Sequence, residues 1–221
     1  MVPNSLTSPP VRPLLDRLFQ AAEGDPARSA GLAERYPHGF AGASAREQAD
    51  AYEELYIPVS PEGGRLLYTL IRASRPSTVV EFGTSFGIST IHLAAAVRDN
   101  GAGRVVSTEL SAAKVAQARA NIAEADLADQ VTILEGDALE TLAGLTTPVE
   151  FVLLDGWKKL YLPVLLLLEP RLTPGALVVA DDTVSMAAQM ADYLVHVRDP
   201  DRGYLSIAFP ESDGLEISCR V

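Results

Sequence analysis

The sequence has little cysteine and little histidine, with one Cys219 and three histidines in 221 residues. One cysteine excludes an intramolecular disulfide, and no two histidines have the spacing of a zinc site. The apolar run 160–168 is far shorter than the roughly 20 residues that span a bilayer. We therefore expect a cytoplasmic protein with no membrane partner.

Positive charge is also scarce, because 18 lysines and arginines stand against 29 acidic residues. The formal net charge is -11 and the isoelectric point lies near 4.7. Affinity for phosphate backbones and anionic lipid surfaces comes from clustered basic side chains. This composition argues against a nucleic-acid partner.

Hydrophobic residues make up 48% of the chain, which is enough for one α/β core. Residues 1–55 look like a helical appendage, with disorder expected up to about residue 12 and glycine or proline breakers after it. We expect this appendage to form part of the acceptor pocket or a subunit contact, although it contains no recognisable motif. We expect the main domain to span 56–221. Helices are predicted at 45–55 and 61–73, the second capped by Ser60.

Five apolar runs of strand length each end in an acid, which indicates a parallel sheet buried on both faces. The runs are 79–81, 105–109, 131–137, 151–155 and 177–182. In open α/β sheets, ligands bind outside the carboxyl ends of the strands. The acids therefore lie where a ligand would.

The order of elements predicts a Rossmann-like, doubly wound sheet with helices on both faces. Strands are expected near 78–82, 104–109, 130–135, 149–154 and 176–180, and helices near 87–98, 111–125, 157–168 and 184–197. Two further runs, 204–209 and 215–221, are separated by five residues, too few for a crossover helix. They predict a C-terminal antiparallel hairpin and seven strands in all.

A glycine loop follows the first strand, with Gly83 and Gly87 four residues apart. The dinucleotide fingerprint needs a further glycine between them, which is absent. Glu81 directly before the loop would repel phosphate but would offset the charge of a cofactor with an amine and a sulfonium. Ser89 and backbone N–H groups would hold a carboxylate, and Glu109 would accept ribose hydroxyls. The alternative is a tight turn without a ligand.

These motifs, with Gly136-Asp137-Ala138, resemble those of class I S-adenosylmethionine-dependent methyltransferases over about residues 57–221. The resemblance implies that Gly83 and Ser89 contact the methionine part and Glu109 the ribose. It places Asp137 and Ala138 at the adenine edge, and Val59 over the methionyl carboxylate. Asp137 could also cap a short helix.

The run Asp155-Gly156-Trp157-Lys158 and the pair Asp181-Asp182 resemble metal-dependent small-molecule O-methyltransferases of the catechol and caffeoyl-CoA type. Carboxylates at adjacent strand ends repel one another unless a cation lies between them. Asp155, Asp181 and Asp182 would thus hold a divalent metal, with Mg²⁺ the preferred ion.

We also expect roles for other residues in the run 155–158. Lys158 falls in the first turn of a predicted helix, where the macrodipole disfavours a cation. We interpret it as the catalytic base, with a solvated surface lysine as the alternative. Asp155 also belongs to the expected cofactor site, and Trp157 would form a wall of the adenine or acceptor pocket.

Two departures from the resemblance concern the acceptor end. The family usually has Asp-Asn where this chain has Asp181-Asp182, which adds a negative charge. A late glutamate that binds the second hydroxyl of catechols is absent from 204–207, and Glu211 does not match its position.

We expect methyl transfer from S-adenosylmethionine to a hydroxyl of a small, aromatic vicinal diol, with Mg²⁺. Alternatives are a metal-independent methyltransferase with another acceptor and a non-catalytic S-adenosylmethionine-binding protein; a nicotinamide oxidoreductase ranks last. A homodimer is expected from the resemblance alone.

Overall fold

The computed structural model describes residues 4–40 and 42–221. Its strands are β1 (Thr78–Phe82), β2 (Arg104–Glu109), β3 (Val131–Glu135), β4 (Val149–Leu154), β5 (Leu172–Ala180), β6 (Tyr204–Phe209) and β7 (Leu215–Arg220). They form a seven-stranded sheet in the order β3-β2-β1-β4-β5-β7-β6. Strands β1 to β5 are parallel, and β7 runs antiparallel to β5 and β6. The predicted fold, five parallel strands plus a C-terminal hairpin, is confirmed.

Helices cover both faces of this sheet. They are α1 (Val11–Ala22), α2 (Asp25–Arg35), α3 (Ala45–Ala51), α4 (Pro61–Ser74), α5 (Ile88–Asn100), α6 (Ala112–Glu124), α7 (Ala138–Thr141), α8 (Tyr161–Leu168) and α9 (Ala191–Arg198). One apolar core joins the sheet to α1, α4, α5 and α6, and the other joins it to α8 and α9. In β1, Val79 faces the first core and Val80 the second, as strand alternation requires.

Local signals set several helix boundaries. Ser60 caps α4, since its hydroxyl accepts from the Gly63 N–H at 2.8 Å, as predicted. The helix predicted at 157–168 is instead a 3₁₀ turn, Lys158–Leu160, followed by α8. Pro163 explains the difference. Proline lacks an N–H and is tolerated in the first turn of a helix but not in its interior, so α8 begins at Tyr161.

Three other elements differ from the prediction. The helix expected at 184–197 begins only at Ala191, because the N–H groups of residues 183–185 donate to the turn at 213–214. Helix α3 ends at Ala51, not at residue 55. Strand β5 begins at Leu172, which pairs with Val149 across a register shift.

The N-terminal segment differs from the expectation of disorder at residues 4–12. Ser5 donates from its N–H to Asp99 Oδ2 at 2.8 Å, and Val11 is fully buried at the start of α1. The first three residues of that expectation lie outside the described residues. The boundary between 1–55 and 56–221 stays a prediction. Among the helices described, none has the length and apolar character needed to cross a membrane.

Candidate active site

A cavity of about 320 Å³ opens at the carboxyl ends of the parallel strands. The predicted site residues that line it are Val59, Gly83, Ser89, Glu109, Asp137, Ala138, Asp155, Trp157, Lys158 and Asp182. Two other predicted residues, Glu81 and Asp181, do not line it. The sheet edge thus brings most of the predicted set to one place.

The glycine loop lies flat against the strand ends. The N–H groups of Gly83 and Thr84 both donate to the Thr108 carbonyl, at 3.2 and 3.0 Å. Gly83 has a φ of 103°, and a Cβ there would overlap the backbone oxygen of Asp155. Since that oxygen belongs to the main chain, it cannot rotate away, and only glycine fits.

We expect Gly83→Ala to destabilise the fold by about 3 kcal/mol or more, because left-handed strain and overlap with backbone add together. Gly101→Ala is the matched control. Gly101 also has a positive φ, 75°, but a Cβ there meets nothing within 4 Å. Strain alone predicts a loss of about 1 to 2 kcal/mol for the control. Urea denaturation measures both values, and equal losses would contradict the overlap.

Glu109 lies at the end of β2 and ties two segments together. Its Oε2 accepts from the Ser85 N–H at 2.9 Å, and its Oε1 accepts from the Ser111 N–H at 2.8 Å. Each carboxylate oxygen can accept a second hydrogen bond. Glu109 is therefore already oriented and still able to accept hydroxyls of a ligand in the cavity.

Asp137 and Ala138 mark the start of α7 at the end of the third strand. Asp137 Oδ1 accepts from the Leu139 N–H at 2.8 Å, so the side chain caps the helix while it also lines the cavity. The helix cap that the sequence offered as an alternative is present. Val59 and Ser89 are both buried and lie on the cavity wall.

Glu81 is not among the residues that line the cavity, and its expected contact with a cofactor stays a prediction. It has the same strand parity as Val79, so its side chain points beneath α5. There it is fully buried and accepts hydrogen bonds from Thr90 and Ser107. Burial raises the pKa of the Glu81 carboxyl to about 7, although hydroxyl donors oppose the change.

This raised pKa predicts a pH-dependent stability. The folded state holds the Glu81 proton more tightly than the unfolded chain, so the free energy of unfolding falls as pH rises from about 4.5 to 7. Glu81→Gln removes this loss. We expect the variant to gain about 2 to 3 kcal/mol over the wild type between pH 5 and pH 8. Urea denaturation at both pH values measures it, with the exposed Glu135→Gln as control, and a pH-independent difference would contradict it.

The second group of acids gathers at the ends of β4 and β5. Asp155, Asp181 and Asp182 each offer a carboxylate oxygen within 4.8 Å of the others. Burial and then the Asp181 charge raise the pKa of Asp155 well above its usual range. Burial and then the Asp182 charge raise the pKa of Asp181 to about 6. The three acids are therefore under mutual repulsion.

Lys158 lies among these acids. Its Nζ is 2.7 Å from Asp182 Oδ2 and 3.7 Å from Asp155 Oδ1, and it donates to the Tyr161 hydroxyl at 2.7 Å. Only about 10% of its side chain is exposed, so the alternative of a solvated surface lysine is wrong. It lies in the 3₁₀ turn directly before α8, not in the first turn of a helix that begins at residue 157.

Tyr161 positions Lys158, a role the sequence did not predict. Its ring is fully buried, and its hydroxyl accepts from Lys158 and donates to the Asp181 carbonyl at 3.3 Å. The spacing of three residues from Lys158 was the available signal, since such residues face each other across a helical turn.

The N-terminal segment forms part of the cavity wall, and the individual contacts that hold it there were not predicted. Tyr52 packs edge-on against Trp157 with ring centroids 5.3 Å apart. Asp25 accepts from the N–H groups of Tyr56 and Ile57 at 3.1 and 2.8 Å. These contacts join residues that are 31 to 105 positions apart in the sequence, so no local sequence pattern predicts them.

Comparisons with known proteins agree with this geometry. A methyltransferase-domain family model matches residues 80–183. A catechol O-methyltransferase of Sus scrofa is 30% identical over 153 residues, covering 66% of this chain and 80% of that enzyme. A catechol O-methyltransferase of Mycobacterium tuberculosis is 34% identical over 154 residues, covering 68% of each chain.

The fold also resembles those of solved structures. The crystal structure of cofactor-bound Rv0187 from MTB superposes with a TM-score of 0.70 at 26% identity, covering 85% of this chain and 95% of that one. An O-methyltransferase from Bacillus cereus, in complex with SAH, has a TM-score of 0.70 at 21% identity, covering 98% and 94%. At that lower identity the likeness concerns the fold.

Proposed function

Because this chain belongs to the class I S-adenosylmethionine-dependent O-methyltransferases, we propose that its acceptor is a small aromatic molecule with two neighbouring hydroxyls and that it uses Mg²⁺. The observation that carries the proposal is the group of three carboxylates around Lys158 at one end of the cavity. A hydroxyl bound there would meet both a cation site and a base.

The remaining cavity suits the cofactor. We place the ribose at Glu109, whose oriented carboxylate accepts hydroxyls, and the adenine at Asp137 and Ala138. The methionine part then lies along Gly83 and Ser89, where α5 begins and backbone N–H groups favour a carboxylate. Val59 would cover that carboxylate from the opposite wall.

The acids fit a divalent cation by charge and by chemistry. With all three carboxylates ionised and Lys158 protonated, the group would carry an excess of two negative charges in a half-buried space. Oxygen ligands of this kind suit Mg²⁺. A bound Mg²⁺ would supply Lewis acidity, lowering the pKa of an acceptor hydroxyl and orienting both oxygens.

The chain's own residues would then do three things. In its neutral form, Lys158 Nζ, next to the Tyr161 hydroxyl, would accept the acceptor's proton. Trp157 and Tyr52 present aromatic walls that exclude water and hold a flat ring. The backbone around Gly83 fixes the cofactor, so the gain in rate comes mainly from orientation and electrostatics.

The acceptor end departs from the catechol pattern at Glu211. Its carboxylate accepts from the Ser60 hydroxyl at 2.6 Å, at the N-terminus of α4, while its charge contributes to the raised pKa of Asp181. The acid is thus near the metal ligands but engaged elsewhere. We therefore propose the broader class of aromatic vicinal diols, cinnamates with two neighbouring hydroxyls included, over catechol itself.

The test is a methyl-transfer assay with labelled S-adenosylmethionine and Mg²⁺ over paired acceptors. Each vicinal diol is matched with the monophenol that lacks one hydroxyl. We expect turnover on one or more diols and at least 100-fold lower kcat/KM on their monophenols. Equal rates on a diol and its monophenol, or turnover only on amines or aliphatic alcohols, would overturn the acceptor class.

Homodimer formation is also proposed, with support from the edge strand β6. Leu205 and Ile207 are 72% and 64% exposed on one side of this strand, and Phe209 follows at 41%. An exposed apolar edge strand is a surface that soluble proteins ordinarily cover.

A cytoplasmic location stays a prediction.

A further inference from the structure

Lys114 is a buried cation that the site described so far does not use. It lies in the first turn of α6, is 6% exposed and lines the cavity. Both surroundings disfavour an ammonium group, since the helix N-terminus is positive and burial removes water. Burial accordingly lowers the pKa of Lys114.

The protein supplies few partners for this ammonium. Lys114 Nζ donates to Ser85 Oγ at 3.1 Å and lies 5.8 Å from the centre of the Phe86 ring. No carboxylate of the described ranges, 4–40 and 42–221, comes within 4.0 Å of it. An ammonium has three N–H donors, so this one can still donate to a ligand in the cavity.

Glu109 indicates which ligand group this is. Among the charged residues, Glu109 has the largest effect in raising the pKa of Lys114, and both residues line the cavity. A carboxylate can only accept and an ammonium can only donate, whereas a hydroxyl does both. A hydroxyl between the two would satisfy each of them, and the cofactor carries two such hydroxyls on its ribose.

We propose that Lys114 is a second ribose-binding residue, whose Nζ donates to a hydroxyl oxygen while that hydroxyl donates to Glu109. The inference rests on the proposed placement of the ribose at Glu109. It concerns the cofactor only, so it stands apart from the proposed acceptor and metal.

The experiment is a titration calorimetry series with S-adenosylhomocysteine and its 2′-deoxy and 3′-deoxy analogues. For the wild type we expect loss of at least one hydroxyl to raise Kd tenfold or more, as for a hydrogen bond with charged partners. In Lys114→Met the parent Kd should rise about tenfold. The ratio of deoxy to parent Kd should fall at least fivefold for the hydroxyl that Lys114 contacts.

Two further variants distinguish direct contact between Lys114 and the ribose from a purely structural role of Lys114. Ser85→Ala removes the lysine's protein partner and leaves the cation, so the ratio should keep its wild-type value. Lys114→Gln retains a donor and should restore part of the discrimination. If Lys114→Met binds more weakly but keeps the wild-type ratio for both analogues, Lys114 is only structural and the inference is wrong.

The outcomes also distinguish this inference from the proposed function. A wild type that binds S-adenosylhomocysteine and methylates no diol would overturn the acceptor class. The role of Lys114 would then still be tested by the ratios of deoxy to parent Kd. A wild type that discriminates against neither deoxy analogue would overturn the ribose placement at Glu109 together with Lys114.

Discussion

Lys158→Ala is expected to lower kcat by about 10²- to 10⁴-fold, the usual contribution of a general base, while the Kd of S-adenosylhomocysteine changes less than threefold. The lysine lies at the acidic end of the cavity, 2.7 Å from Asp182 Oδ2, and it is not among the residues proposed to bind the cofactor. Single-turnover rates at saturating Mg²⁺ and calorimetry measure the two quantities.

A loss of activity alone would not distinguish a base from a positive charge. Lys158→Arg makes this distinction, because arginine keeps the charge and cannot be deprotonated in proteins. If Lys158 acts as a base, the arginine variant should be nearly as slow as the alanine variant. A rate within tenfold of the wild type would show that charge is what matters.

The neighbouring lysine provides the matched control. Lys159 is exposed and does not line the cavity, so Lys159→Ala should retain full turnover. Tyr161→Phe removes the hydroxyl that holds Lys158 and should lower kcat by a smaller factor, with KM unchanged. Wild-type turnover in Lys158→Ala would remove the lysine from the mechanism.

The sequence predicted what depends on chain order and strand direction. Parallel strands bring their carboxyl ends to one edge, so the sequence alone predicts that Glu109, Asp155 and Asp182 lie at the same edge. That inference needed only local patterns and general topology. The overlap that requires glycine at residue 83 was not predicted, because it depends on how closely the loop crosses the main chain of Asp155.

The sequence is less informative where side-chain direction or distant packing decides. Strand alternation places Glu81 with Val79 beneath α5, and its predicted contact with the cofactor stays a prediction. The cover formed by Tyr52 over Trp157 was not visible, because it joins residues 105 positions apart. Lys114 was missed because a lysine on a helix ordinarily faces solvent.

Metal dependence is the second prediction with a large effect. Thorough chelation should lower turnover at least 100-fold, and Mg²⁺ should restore it. The physical reason is that burial and then the charges of the neighbouring acids raise the pKa of both Asp155 and Asp181, an effect that one lysine offsets only in part. Because a ligand that binds the folded state stabilises it, Mg²⁺ should also raise the Tm. Full activity after chelation would eliminate the metal from the reaction.

Asp182→Asn tests the charge of the site without disturbing its shape. Asp182 has a φ of 62°, a left-handed conformation that asparagine adopts as readily as aspartate, so the backbone should be unchanged. The variant loses one of the two excess negative charges and should need about tenfold more Mg²⁺ for half-maximal activity.

The same substitution should not lower the rate at saturating Mg²⁺. A neutral amide offsets less of the metal's positive charge than a carboxylate does. A metal bound to the variant would therefore polarise the acceptor hydroxyl at least as strongly as a metal bound to the wild type. Asp182→Asn should therefore show a kcat equal to or above that of the wild type, together with a smaller rise in Tm at a given Mg²⁺ concentration. An unchanged Mg²⁺ requirement would mean that Asp182 is not a ligand, since removal of a coordinating charge must weaken binding. Its close contact with Lys158 Nζ would then be the whole of its role, and the site would be held by Asp155 and Asp181.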